Sequence, residues 1–228
     1  MAVIMPHSAF IHVPKTGGTW CRTAIKRAKL PHFESGPNVK RMLSRTHATL
    51  RKALPTINQR DWRKGDTTKV KRFTFGFVRN PLDWLASRWA DAIRKYGGVA
   101  NHDHDHWFNA AFSHDFSTYV DGVIEIEPSV PSNAILGRLG FHKDGAVWVP
   151  DDCKIDFIGK QENLVDDFVK ALHLAGEKFS EKRVRALPPQ RVAGQLDRFK
   201  RQIVWTDKQR RAIYEANKQL FDDYGYSV

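Results

Sequence analysis

The sequence predicts an α/β fold: one domain, residues 1–228, with a central parallel β-sheet flanked by helices. Three observations predict it. Short apolar runs rich in β-branched and aromatic residues, at residues 9–13, 73–78 and 155–158, read as buried strands. Each is followed by a stretch whose apolar residues recur at helical spacing. The first two strand-to-helix junctions carry strong turn and cap signals, Pro14-Lys15-Thr16-Gly17-Gly18 and Arg79-Asn80-Pro81. Alternation of this kind favours a parallel sheet covered on both faces, with ligands bound at the carboxyl ends of the strands.

In chain order, the first strand runs into the glycine-bearing turn and then into a helix ending near Lys29. The second strand ends at Arg79. Asn80 is a good N-cap, Pro81 suits the first helical position, and Leu82, Leu85, Ala86, Trp89 and Ile93 share a helical face. Gly97-Gly98 closes that element. After the third strand, Leu164, Val165, Phe168, Val169 and Leu172 form another apolar face. A last helix is expected from Thr206-Asp207 to about Asp223, burying Ile213, Ala216 and Leu220. The pattern weakens from Gly98 to Pro150, where short helices are expected at 107–112 and 116–123. Residues 97–150 read as a lid or acceptor-binding insertion, or as packing elaboration.

The formal charge is 37 − 25 = +12, a field that favours polyanionic partners such as nucleotide, nucleic acid or acidic glycan. Cys21 and Cys153 are too few for a disulfide scaffold or zinc spacing and read as buried reduced thiols. The first ten residues, interrupted by Pro6 and His7, do not read as a signal peptide. No run reaches the roughly 18 apolar residues of a membrane helix. The expectation is a soluble, cytoplasmic protein.

A strand, a glycine-rich turn and a helix together make a phosphate cradle, because backbone amides converge there and the helix N-terminus is partially positive. Gly17 and Gly18 remove the side chains that would hold a phosphate away. A nucleotide-triphosphatase loop reads GxxxxGK[ST], with lysine after the glycines. Here Lys15 precedes them and no GK[ST] occurs, which weakens a kinase or NTPase reading. A strand-to-helix turn without a ligand is the plain alternative, since two glycines alone are a weak signal.

The run Phe10-Ile-His-Val-Pro-Lys-Thr-Gly-Gly-Thr-Trp20 resembles the 5′-phosphosulfate loop of sulfotransferases that use 3′-phosphoadenosine 5′-phosphosulfate (PAPS). Its wording, IHVPKTGGT, is closer to the carbohydrate and bacterial enzymes than to the cytosolic aryl enzymes with YPKSGTTW. Trp20 is shared with the latter, where that tryptophan stacks on adenine. Arg79-Asn-Pro-Leu-Asp-Trp-Leu-Ala-Ser87 is similar to the family's 3′-phosphate loop, RxPxxxxxS. Asp156-Phe-Ile-Gly-Lys-Gln-Glu-Asn-Leu-Val-Asp-Asp-Phe168 resembles the segment that usually reads DFIGRFENLEEDF, with Lys160 and Gln161 replacing Arg and Phe. The resemblance implies a P-loop-nucleotide-kinase-like sulfotransferase fold. It also implies a donor site of Lys15, Thr16, Gly17, Gly18, Thr19, Trp20, Arg79 and Ser87, with PAP (3′-phosphoadenosine 5′-phosphate) as product. A third nucleotide contact, between Arg183 and Arg191, is left open.

Sulfuryl transfer needs a cation at the bridging oxygen of the leaving phosphate, which the resemblance assigns to Lys15. It also needs a base at the acceptor hydroxyl. His47 in Arg45-Thr-His-Ala-Thr-Leu50 is similar to a segment of bacterial relatives and is the candidate base, with Glu34, His12 or His32 as substitutes. No metal is required. His102, His104 and His106 alternate and invite a metal site, but an acceptor-facing loop or plain surface fits the flanking glycines better. The basic clusters at 69–72, 182–185 and 198–201 read as solvated surface or as a lure for an anionic donor and acceptor. A nucleic-acid-binding module draws on the same charge but lacks a recognisable signature. A binding protein without turnover is a third class, against which Lys15 and His47 argue. The acceptor is expected to be a glycan hydroxyl, with a phenol, lipid or small metabolite as alternatives; the oligomeric state is not legible.

Overall fold

The computed structural model describes residues 2–34, 59–61, 66–96, 111–139, 155–188, 199 and 201–228. These residues group into two compact units, one comprising 1–78 with 134–188 and the other 79–133 with 189–228.

The first unit holds a five-stranded sheet. Its strands are β1 (Ala2–Ile4), β2 (Ser8–Ile11), β3 (Phe33–Glu34), β6 (Phe73–Val78) and β7 (Phe157–Lys160), in the order β3-β1-β2-β6-β7. A separate antiparallel pair joins β4 (Gln59–Asp61) to β5 (Asp66–Lys69). The three strands expected from sequence are β2, β6 and β7, and they form the parallel part: Phe10 pairs with Phe75, and Phe75 with Phe157. The expectation of a parallel sheet needs one correction. β1 runs antiparallel to both β2 and β3. The physical reason is the three-residue link between β1 and β2, closed by the Met5 amide donating to the Ser8 carbonyl at 2.8 Å. A link that short permits only a hairpin; a parallel pair needs a crossover of a dozen residues or more.

Helix α1 (Gly18–Arg27) follows β2, and α5 (Leu164–Leu174) follows β7 through a 3₁₀ turn at Gln161–Asn163. Alternation puts Phe75 and Phe77 on one face of β6. That face meets Phe10, Trp20, Ile25, Phe168 and Leu172 in a single core, which also takes Val184 from the short helix α6 (Glu181–Arg185). Phe168 stands edge-on to Trp20 at 5.5 Å and to Phe75 at 5.9 Å, the geometry favoured by ring quadrupoles. The opposite face carries Gly76, against which lies Leu139 from the C-terminal end of α4 (Val130–Leu139). β7 is tied to β6 by Asp156: its carboxylate accepts from the Thr74 amide at 2.7 Å and the Thr74 hydroxyl at 2.8 Å.

In the second unit, α2 (Pro81–Tyr96) begins as the sequence implies. The Leu82 amide donates to the Asn80 side chain at 2.9 Å, so Asn80 caps the helix with Pro81 in its first turn. Trp89 of α2 is fully buried against Phe116 of α3 (Phe116–Ile126) and against Phe199, and its indole N–H donates to the Ser113 carbonyl at 2.9 Å. The C-terminal helix expected as one piece is two: α7 (Asp207–Ala216) and α8 (Lys218–Tyr224). Asn217 makes the break. Its side chain accepts from the Ser132 amide at 2.9 Å and donates to the Pro128 carbonyl at 2.9 Å, a pair of bonds obtained with its backbone at φ −123°, outside the helical region. The start is as expected, with Thr206 and Gln209 forming a reciprocal capping box.

Phe168→Ala is expected to lower the unfolding free energy by about 3–5 kcal/mol, because it opens a cavity beside the Trp20 and Phe75 rings. Thr206→Ala should cost about 1 kcal/mol. Equilibrium denaturant unfolding of both variants checks the ranking.

Candidate functional site

The turn joining β2 to α1 is built from Pro14, Lys15, Thr16 and Gly17. Thr16 is fully buried and its hydroxyl donates to the Val13 carbonyl at 3.0 Å, closing the turn from inside. Lys15 (φ 67°) and Gly17 (φ 87°) both adopt left-handed backbone. Glycine does so freely, whereas a lysine held there stores on the order of 1–3 kcal/mol. Strain of that kind is concentrated at functional turns.

Gly17 is the N-cap of α1 and leaves no room for a side chain: an added Cβ would lie 2.5 Å from Leu164 Cδ2. The first helical bond runs from the Cys21 amide to the Gly17 carbonyl at 3.1 Å, so the amides of Gly18, Thr19 and Trp20 precede the ladder. The N-cap, Gly17, has no side chain to cap them, and the first turn of α1 carries no acidic residue. Three amides, the positive end of the helix dipole and two glycines suit an anionic oxygen.

Trp20 is placed differently from the adenine-stacking expectation. It is 3% exposed and its ring is packed edge-on against Phe168 in the core. Its ring belongs to the core, and its amide is the last of the three ahead of the helix ladder. Thr19 is exposed at the head of α1. Cys21, one turn on, is a buried free thiol whose pKa burial pushes well up, so it stays protonated. Cys153 lies outside the described residues.

Arg79 follows the last residue of β6 and is 8% exposed; Ser87 is half-buried on α2. β2 and β6 are parallel neighbours, so both strands end on the same edge of the sheet. His32 is fixed by its own chain, Nδ1 donating to the Leu30 carbonyl at 2.8 Å. Glu34 ends β3, paired with Val3. His47, the histidines at 102, 104 and 106, and Arg191 lie outside the described residues. Near the expected third nucleotide contact, Arg185 is already engaged: its guanidinium donates to Glu181 and to Asp166, each at 2.6 Å. The Lys160 amide donates to the Asp167 carboxylate at 2.6 Å, locking the end of β7 to α5.

A family model described as the Sulfotransferase family matches residues 7–227, nearly the whole chain and parts of both units. The chain belongs to the sulfotransferase family. No curated protein and no solved structure matches it. As a sulfotransferase it is a transferase that needs a sulfate donor and an acceptor, and its α/β sheet with flanking helices fits that family. No described helix is long and apolar enough to cross a membrane.

Two residues within the quoted motifs shape the sulfotransferase's loop in a way the motif wording does not announce. Leu164, expected only as part of an apolar helix face, backs Gly17. His12, a member of the IHVPKTGGT run and named as a substitute base, packs half-buried against Gly18, and its pKa is lowered from 6.5 to about 4. Burial is the main cause, and the positive charges of Arg138 and Arg22 add to it. So depressed, His12 is neutral at pH 7 and a poor proton acceptor compared with a base whose pKa lies near the working pH.

The sign of the pH effect follows. Above pH 6.5 His12 is neutral in folded and unfolded chains alike; as pH falls towards 4 the unfolded chain takes a proton that the folded chain refuses. Stability is therefore lost across that window, by about 3 kcal/mol in all. In His12→Gln this loss should be absent, so the variant gains on the wild type between pH 7 and pH 4 in denaturant unfolding. A pH-independent difference would contradict the assignment.

Proposed function

We propose that this sulfotransferase moves the sulfuryl group of PAPS to an acceptor hydroxyl, with a glycan hydroxyl as the first choice of acceptor. The observation that carries the donor assignment is the turn after β2. It sets the amides of Gly18, Thr19 and Trp20 ahead of the helix ladder at the head of α1, in a stretch worded like the family's 5′-phosphosulfate loop.

The 5′-phosphosulfate would be held by Lys15, Thr16, Gly17, Gly18 and Thr19, with Trp20 contributing its backbone amide. The 3′-phosphate would be held by Arg79 and Ser87, since a guanidinium fork suits a dianionic phosphate. In the transfer, a base (His47 in this reading) takes the proton of the acceptor hydroxyl. The acceptor oxygen bonds to sulfur as the bond from sulfur to the phosphate's bridging oxygen breaks, in line. PAP leaves with that electron pair, and the Lys15 ammonium stabilises the charge growing on the bridging oxygen. No metal takes part. Relative to the kinase and nucleic-acid readings, this one accounts for lysine preceding the glycines and for the RxPxxxxxS spacing.

The test is release of PAP from PAPS in the presence of a panel of glycan, phenol and lipid hydroxyls. Lys15→Ala is expected to lower turnover by at least about a hundredfold, the scale of losing one charge-stabilising group. Arg79→Ala should weaken PAP binding more than it slows the chemical step. Unchanged PAP affinity in Arg79→Ala would remove the 3′-phosphate assignment.

A further inference from the structure

The space beside Gly18 is filled by one side chain. A Cβ added at Gly18 would overlap Cδ2 and Nε2 of the His12 imidazole and come within 3.0 Å of its Cγ. His12 leaves the end of β2, two residues before the turn begins, and returns its ring to the first residue of α1. The ring is half-buried and lies beside Phe10, with ring centroids 6.2 Å apart. Gly18 and His12 are therefore complementary in shape. The missing side chain of one is the seat of the other.

We propose, on the reading of this turn as the donor site, that His12 is a positioning residue for the donor. Its ring seats against Gly18 and sets the height of the first turn of α1, so that the amides of Gly18, Thr19 and Trp20 converge on the phosphosulfate. The ring is suited to this task on two counts. It is flat and stiff, with no flexible stem to rearrange when an anion arrives. It is also neutral at pH 7, chiefly through burial, so it does not form an ion pair with the anion and distort the loop. Glycine at 18 is thus required by the histidine as well as by any ligand. That steric pairing distinguishes His12 from the base role considered for it.

The experiment is a two-site cycle read by calorimetric titration of the full chain with PAP, with thermal melting as the check on folding. Gly18→Ala should weaken PAP binding by about tenfold or more, the size expected when a contact between touching residues is broken. His12→Ala should weaken it less. In the double variant His12→Ala/Gly18→Ala the new methyl occupies the space the ring vacated, so affinity should recover to near that of His12→Ala. Additive losses would overturn the pairing. Should Gly18→Ala not fold, a second measurement decides. The wild-type imidazole resonances of His12, assigned by their absence in His12→Gln, should shift when PAP saturates the protein and stay put with adenosine. Resonances that ignore PAP would overturn the proposal, because a histidine that only fills the core would not sense the phosphate. If wild type does not bind PAP at all, the donor reading fails rather than the pairing.

Discussion

The parallel pairing of β2 with β6 is the constraint on which the candidate site depends. Phe10, Phe75 and Phe77 stack across the two strands with centroids 5.6 Å and 6.0 Å from Phe10, and all three rings are fully buried. Parallel strands share one carboxyl edge, so this packing decides where both strand-to-helix junctions leave the sheet. α1 and α5 then close over the same aromatic face, which presses Leu164 against Gly17 and drives Trp20 inward. The turn's conformation is thus a consequence of the core beneath it. Its left-handed Lys15 and Gly17 are tolerated because the surrounding packing leaves no alternative.

The charge of the molecule works at a different range. A formal +12 steers polyanions towards the protein, but at physiological salt a charge is screened within about 8 Å. Selection among anions must therefore come from local geometry. Some surface charges are balanced locally: Arg185 binds Glu181 and Asp166, and Arg94 pairs with Asp91 at 2.9 Å. At the head of α1 the arrangement is reversed. No carboxylate enters its first turn, while Lys26 and Arg27 sit in its last, where they oppose the negative end of the dipole. Beside the Lys15 ammonium, the backbone amides and the helix dipole add positive potential at the loop that requires no side-chain rearrangement.

What could be read from sequence was whatever had a period or a cap. β6, the Asn80-Pro81 helix start and the Thr206 cap all rest on local signals, and the structure has them at those residues. The apolar face at Leu164 to Leu172 is likewise buried, with Phe168 at its centre. Features decided by distant partners were not legible. β1 is only three residues long, too short to show alternation, and exists because β2 is there to pair with it. The break at Asn217 depends on Pro128 and Ser132, some 85 to 89 residues away in sequence. In the same way Trp20 matched a motif in which the ring meets adenine. Its burial follows from Phe168, which the motif does not contain. The turn itself was legible because glycines and their neighbours announce a close approach of backbone; that the His12 ring fills the space beside Gly18 was not.

The most direct test of the donor site is calorimetric titration of the purified protein with PAP, using AMP and ATP with magnesium as controls. Tight binding of PAP that weakens sharply without the 3′-phosphate and needs no magnesium is the expected result. Binding of ATP with magnesium, indifferent to the 3′-phosphate, would contradict the donor assignment and point to nucleotide chemistry of another kind.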